Sequence, residues 1–302
     1  MKICSLLPSA TEIVYALGLG DSLRAVTHEC DFPPEAKERP TITSSILPGG
    51  EALPGVVDGE VRRLVESGEG IYRIDGDLLQ AIQPDLILTQ KLCEVCAVNY
   101  DDVISAARLL PDPPRIISLE PTSIEEILET IRTVGRLADC EERAEEVVQD
   151  LRDRIERVSQ AVGDVSHRPG TLCLEWLDPP MVGGHWVPEM VRCAGGDDRL
   201  GEEGKPSRRI DWEEIGASAP EVVVLMPCGY DAERTVAEYR RAPFPDLWKG
   251  VPAVKSGRVS AVDANAYFSR PGPRIVEGIE ILGRILHPDR LSGGGFMCLD
   301  PS

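Results

Sequence analysis

Two cysteine-bearing segments in the first third of the chain carry residue types that bind metals. One residue separates His28 from Cys30, and two residues separate Cys93 from Cys96. One imidazole and three thiolates match the ligand set of a tetrahedral zinc site, and thiolates also hold iron–sulfur clusters. Cys93 and Cys96 could instead form a redox disulfide, or all three thiols could be free without a special role. We state as a hypothesis that Cys30, Cys93, Cys96 and His28 form one metal site.

A second set of candidate residues is aromatic. Only 5% of the chain is aromatic, yet six aromatic residues follow the predicted strands closely: Phe32, Trp176, Trp186, Tyr230, Tyr267 and Phe268. Ligands of parallel α/β sheets bind beyond the carboxyl ends of the strands. Flat apolar rings with a few polar partners suit a large planar macrocycle. The alternative is that these rings pack between helix and sheet.

Further candidates for ligand binding lie at the same predicted edges: His28, Tyr72, Gln90, His185 and Arg270. His185 follows two glycines, and a neutral imidazole can ligate cobalt or haem iron. Arg270 could neutralise a phosphate or a propionate, or pair with one of the many carboxylates. Sequence signatures of hydrolases, nucleotide-binding loops and zinc proteases do not occur in the chain. We therefore assign no catalytic residue and expect a binding protein rather than an enzyme.

The composition of the chain disfavours several classes of binding partner and structure. The 302 residues carry a formal net charge of −19, which disfavours binding to nucleic acid or to an anionic membrane surface. No apolar run approaches the ~18 residues that a membrane span requires. Nine cysteines, odd in number and irregularly spaced, do not read as a disulfide framework. The first residues resemble a core strand rather than a secretion signal, so the sequence as written predicts a cytoplasmic protein, or an extracytoplasmic one if a leader has been removed.

Strands and helices alternate in each half of the chain, which predicts parallel sheets with crossover helices. We expect an amino-terminal α/β lobe over residues 1–122, a helical linking segment over 123–168 and a carboxyl-terminal α/β lobe over 169–290. Apolar residues at helical spacing, uninterrupted by Gly or Pro, predict one long helix over 141–162. Residues 291–302 are expected to be a flexible tail.

One internal similarity favours two related lobes. Residues 79–88 and 215–224 share one pattern: a predicted helix end, a proline followed by an acidic residue, and a predicted apolar strand. The two segments align without a gap, which supports two similar lobes over one continuous sheet.

Several stretches together resemble the family of vitamin B12-binding periplasmic proteins. They are Ser5 to Glu12, His28 to Ala36, the helix-proline-strand element that ends at Leu88, Val182 to Gly196, and Phe268 to Arg274. The resemblance runs from about Lys2 to Leu286 and rests on the order and spacing of these motifs. It implies two Rossmann-like lobes joined by one long helix, with a ligand in the cleft between them.

The function implied by the resemblance is capture of a corrinoid, cobalamin or a relative, and its delivery to an ABC permease or a cytoplasmic acceptor. A ferric siderophore or haem is the alternative ligand on the same fold. A different alternative is a cytoplasmic redox or sensor protein that binds zinc or an iron–sulfur cluster. The missing secretion signal and the cysteine-bearing loops depart from the family pattern.

Overall fold

The computed structural model describes residues 1–46, 59, 63, 71–91 and 99–299. These residues separate into two compact units, each with its own sheet. Unit 1 comprises Met1–Glu120 and Glu129–Val147, and unit 2 comprises Pro121–Leu128 and Val148–Ser302. The prediction of a two-unit α/β protein is confirmed. The main sheet of unit 1 is parallel, as predicted, whereas the sheet of unit 2 is mixed, and the predicted linking segment is divided between the two units.

Unit 1 is built on four parallel strands: β1 (Ile3–Ser5), β2 (Leu23–Ala25), β5 (Leu86–Thr89) and β6 (Arg115–Ser118), in the order β2-β1-β5-β6. Ile3, Cys4 and Ser5 pair with Leu86, Ile87 and Leu88 at its centre. Every residue of β1 and β5 is buried, and most are apolar, because both faces of a parallel sheet are covered. The order and direction of these strands place their carboxyl ends on one edge.

The remaining elements of unit 1 cover this sheet. They are α1 (Pro8–Ala16), α2 (Gly76–Ile82), α3 (Tyr100–Ala107) and an antiparallel pair, β3 (Thr43–Ser45) with β4 (Tyr72–Ile74). Helix α1 begins at Pro8, with Leu7 as its N-cap, because proline's fixed φ suits the first helical position.

Two helices carry the chain from one sheet to the other. Helix α4 spans Ile124–Leu137 and α5 spans Glu141–Ala161 without a break, as predicted. Ser123 precedes α4, and its hydroxyl accepts a hydrogen bond from the Glu126 amide at 3.2 Å. Asp139, with φ of 53°, separates the two helices.

Unit 2 contains a larger, mixed sheet in the order β10-β8-β7-β11-β12-β13, with β9 also paired to β7. Its parallel strands are β7 (Gly170–Leu177), β9 (Asp197–Asp198), β11 (Val222–Leu225) and β12 (Val259–Val262). The antiparallel strands are β8 (Pro180–Val182), β10 (Arg208–Arg209) and β13 (Phe296–Leu299). The helices are α6 (Val187–Cys193), α7 (Trp212–Ser218), α8 (Ala232–Arg241), α9 (Pro252–Lys255), α10 (Ala264–Tyr267) and α11 (Ile275–Leu286).

The carboxyl-terminal segment differs from the sequence-based expectation of a flexible tail. Phe296–Leu299 forms β13 and pairs antiparallel with all four residues of β12. The glycines at positions 293 and 295 take positive φ values of 135° and 103°, which lets the chain turn back onto the sheet edge. Leu299 is buried, so apolar burial and the strand ladder order this segment.

The repeated sequence element has the same structure in both units. Helix α2 ends with Gln83 in the left-handed region (φ 50°), and α7 ends with Ala219 in the same conformation (φ 45°). A proline follows in each case and leads into the central strands β5 and β11. The predicted similarity therefore extends to the backbone conformation at each helix end, since a residue before proline avoids the right-handed helical region.

Candidate functional site

An aromatic pair lies at the carboxyl ends of the strands of unit 2. Trp176, near the end of β7, contacts Tyr230 edge-on, with ring centroids 5.6 Å apart. The carbonyl oxygen of Tyr230 accepts hydrogen bonds from the amides of Ala264 and Asn265, at 3.0 and 3.2 Å. Three neighbouring strands thus deliver their following loops to one place. Trp176 is half-buried whereas Tyr230 is buried, so Tyr230 supports the exposed face of Trp176.

Arginines accompany the aromatic residues at this edge. The guanidinium of Arg234 lies 3.7 Å from the centre of the Tyr230 ring, and that of Arg274 lies 5.7 Å from the Tyr267 ring. Arg270 is only 6% exposed and donates to the Asn265 side chain at 3.0 Å. Sequence patterns did not single out Arg234 or Arg274. The contact of each guanidinium with an aromatic ring is visible only in the structure.

Trp186 and Phe268 belong to the interior of unit 2. They are 7% and 2% exposed, and the Trp186 indole N–H donates to the carbonyl oxygen of Phe268 at 2.8 Å. This bond joins the start of α6 to the loop after α10. Of the predicted aromatic residues of unit 2, Trp176 and Tyr267 are therefore the half-exposed ones, while Trp186 and Phe268 hold the loops in position.

His185 occupies a restrained position between β8 and α6. Its φ of 51° lies in the left-handed region. Its amide donates to the Lys205 carbonyl oxygen at 2.6 Å, and its own carbonyl oxygen accepts from Gly204 at 2.9 Å. The imidazole stacks on Trp186 with centroids 5.6 Å apart. Partial burial lowers the pKa of His185, so the ring is mainly neutral at pH 7.

The half-buried carboxylate of Glu175, next to Trp176, links these loops through hydrogen bonds. Glu175 accepts a short hydrogen bond from the Ser207 hydroxyl, and Ser207 Oγ accepts from the Gly184 amide at 3.1 Å. Burial raises the pKa of Glu175, and the bond from Ser207 opposes that rise. Sequence reasoning missed Glu175 and Ser207, although the position of Glu175 near the end of an apolar strand is a usable signal.

The corresponding edge of unit 1 brings His28 and Tyr72 together. Their rings lie 5.2 Å apart, and His28 Nδ1 is 2.8 Å from Thr43 Oγ1. Phe32 is 42% exposed and Gln90 is buried. Thr89, at the end of β5, has a buried hydroxyl without a hydrogen-bond partner among the described residues, and it is a further polar candidate that sequence reasoning missed.

The predicted metal site is only partly within the described residues. Cys93 and Cys96 lie outside them, so that part of the hypothesis stays a prediction. Cys30 is buried, and its sulfur lies 3.1 Å from Thr11 Oγ1 and 3.2 Å from Thr27 Oγ1. Within the described ranges, no group of three or more His, Cys, Asp or Glu residues is arranged to hold a metal ion.

The chain also resembles known proteins along most of its length. It is 23% identical over 286 residues to the vitamin B12-binding protein of Vibrio cholerae serotype O1, covering 92% of this chain and 86% of the relative. It is 23% identical to an uncharacterised ABC transporter substrate-binding lipoprotein of Bacillus subtilis, with coverage of 95% and 80%. The crystal structure of a periplasmic heme binding protein from Pseudomonas aeruginosa superposes with a TM-score of 0.74 at 17% identity, covering 98% and 97% of the two chains.

No helix in the described part of the chain is both long and apolar enough to cross a membrane. The family profile of the periplasmic binding proteins matches residues 3–266. The fold, with its two sheet-bearing units, agrees with that match over nearly the same length. The chain belongs to the periplasmic binding protein family.

Proposed function

We propose that the protein binds a corrinoid, cobalamin or a close relative, and that it acts by binding rather than by catalysis. The observation that carries the proposal is the half-exposed Trp176, supported by Tyr230 where three strands of unit 2 end. Such a platform suits the flat apolar surface of a macrocycle. The name of the Vibrio cholerae relative supports the choice of a corrinoid.

The residues proposed to contact the ligand are those with accessible rings or polar groups at the two sheet edges. In unit 2 they are Trp176, Tyr267 and His185, with Tyr230 and Arg274 in support. In unit 1 they are His28, Phe32 and Tyr72, whereas Gln90 is buried and is proposed to act in support, as Tyr230 does in unit 2. Trp186, Phe268 and Arg270 are buried, so we assign them to holding the loops rather than to touching the ligand.

Haem is the second candidate ligand. The superposition with a periplasmic heme binding protein supports a fold able to hold it, and the arginines beside Tyr230 and Tyr267 suit acidic side chains of a porphyrin. We further propose delivery to an ABC permease outside the cytoplasm, which the name of the substrate-binding lipoprotein among the relatives supports. A zinc or iron–sulfur site at Cys30, Cys93, Cys96 and His28 remains an independent proposal, which metal analysis of anaerobically purified protein would test.

Calorimetric titration of the full chain with cyanocobalamin, cobinamide and haemin tests the proposed function. We expect saturable one-to-one binding of at least one corrinoid with a Kd in the micromolar range or below, corresponding to about −8 kcal/mol or stronger. Tighter binding of haemin than of either corrinoid would replace the first candidate with the second. Binding of none of the three would refute a macrocycle as the ligand.

A further inference from the structure

We propose that His185 is an axial ligand to the metal of the bound chelate, replacing an exchangeable water molecule on the cobalt of a corrinoid. This inference rests on the proposed function, because it requires a macrocycle with a metal at its centre. It adds a direct bond to the metal, so the protein would select among corrinoids by what occupies the axial position.

The backbone holds His185 in one conformation. The residue sits in the left-handed region, which non-glycine residues seldom adopt. Both of its main-chain polar groups are bonded to residues 204 and 205. Such restraint fixes the direction of the Cα–Cβ bond, and the stack on Trp186 positions the ring.

The preceding glycine makes this arrangement specific. A Cβ on Gly184 would overlap the Lys205 carbonyl oxygen and the Ser207 amide nitrogen, so the segment 183–185 must lie directly against the segment 204–207. The Ser207 hydroxyl then bonds to both Gly184 and Glu175. One hydroxyl group thereby joins the residue before His185 to the residue before Trp176.

The imidazole itself is available for a bond. It is half-exposed and stacks on Trp186. No hydrogen bond to either ring nitrogen is made by the residues that the structure describes. The other histidines have assigned contacts: His28 with Thr43, His167 with Glu221, and His287 with the Gly195 carbonyl oxygen. A half-exposed imidazole that stacks on the buried Trp186 and keeps its ring nitrogens free of hydrogen bonds to the described residues suits ligation of a cobalt or iron centre.

The proposed step is a ligand exchange. The cobalt–water bond breaks and water leaves with its electron pair and both protons. A ring nitrogen of His185 donates its lone pair to form the new cobalt–nitrogen bond. The metal keeps its oxidation state, and the second ring nitrogen keeps its proton.

Visible absorption tests this exchange with two corrinoids that differ at one axial position. Aquocobalamin carries an exchangeable water, whereas cyanocobalamin carries a tightly bound cyanide. We expect the protein to shift the absorption bands of aquocobalamin, leave those of cyanocobalamin nearly unchanged, and bind aquocobalamin at least tenfold more tightly. His185→Asn, which tolerates the left-handed backbone, should abolish the shift and the tenfold preference while changing cyanocobalamin affinity less than threefold.

His167→Asn is the matched control, because His167 is an exposed histidine bound to Glu221 and should behave as wild type. Circular dichroism verifies that both variants are folded. A full shift with His185→Asn, or no shift by wild-type protein that binds cyanocobalamin, would refute the axial ligand and leave the proposed function intact. If only haemin binds, its spectrum with and without cyanide gives the same comparison. If no macrocycle binds, the proposed function and this inference are both refuted.

Discussion

Parallel strands end at the candidate edge in both units, but the two edges differ in chemistry. In unit 1 the buried side chains of Ser5, Thr11, Thr27 and Cys30 form a continuous chain of contacts, and the rings at this edge are those of His28, Tyr72 and Phe32. In unit 2 the edge carries the rings of Trp176, Tyr230 and Tyr267 with guanidinium groups over two of them. Small hydroxyl groups bury little apolar surface, while each large ring buries much more.

Because of this difference, we expect the two units to contribute unequally to the free energy of binding the proposed macrocycle. A macrocycle gains most from flat apolar surface, so we expect unit 2 to supply most of the affinity. The hydrogen-bonded groups of unit 1, with Phe32 as the exposed ring, are expected to contribute less. The loops of unit 2 are also expected to be more rigid, because hydrogen bonds join Ser207 to both Glu175 and Gly184.

The largest expected effect is that of Gly184→Ala. The added Cβ overlaps main-chain atoms of residues 205 to 207, and main chain held between two strands cannot easily move. We expect the free energy of unfolding to fall by about 2–4 kcal/mol in urea denaturation. Gly76→Ala in unit 1 is the control, because a Cβ there meets nothing within 4 Å, and it should change stability by less than about 1 kcal/mol. Equal effects of the two substitutions would show that the edge of unit 2 is not rigid.

A pH-dependent effect of intermediate size is expected at Asp198 in β9. Burial raises the pKa of this carboxyl to about 6, against the opposing hydrogen bonds from Gly201 and Leu200. The native state therefore holds the proton more strongly than the unfolded state does. Stability should fall as pH rises from about 4 to about 6, and this contribution is constant above that range.

The measurement compares wild-type protein with Asp198→Asn by urea denaturation at pH 4.5 and pH 7. Asparagine keeps an oxygen acceptor for the two amides but does not titrate. Relative to the variant, the wild type should lose about 1–3 kcal/mol between the two pH values. A difference that does not change with pH would contradict the raised pKa.

The smallest expected effect separates the two edges directly. Trp176→Ala should weaken ligand binding by at least about 1 kcal/mol, or roughly fivefold in Kd, because it removes the exposed ring of unit 2. Phe32→Ala removes the exposed ring of unit 1 and should change the Kd by about twofold or less. Calorimetry gives both Kd values, with the macrocycle that binds in the titration proposed above as the ligand. A greater loss for Phe32→Ala would reverse the assignment of the principal binding surface.

Much of the fold was predictable because it follows from local patterns. The long helix α5 and the two helix-proline-strand elements lie where the sequence places them, because apolar runs and their spacing report burial directly. The antiparallel strands β8, β10 and β13 were not predicted. They are short, and their pairing depends on neighbours distant in sequence.

The candidate site was predictable only as a set of residue types. The rule that ligands lie beyond strand ends correctly gathered Trp176, Tyr230 and Tyr267 on one edge. It did not distinguish Trp176 from Trp186, because both are tryptophans near the same edge. The buried hydrogen bond from Trp186 to Phe268 separates them, and that contact joins residues 82 positions apart.

The sequence by itself determined the alternation of strands and helices, the unbroken helix α5 and the repeated helix-proline-strand element, since each depends on residues within about twenty positions. Only the tertiary structure decided which side chains are accessible, which loops touch and which histidine lacks a partner. Glu175, Ser207 and Gly184 illustrate this, because no local pattern connects them. Their bonds form only after the strands pair, when burial makes each unsatisfied polar group costly and so selects one arrangement.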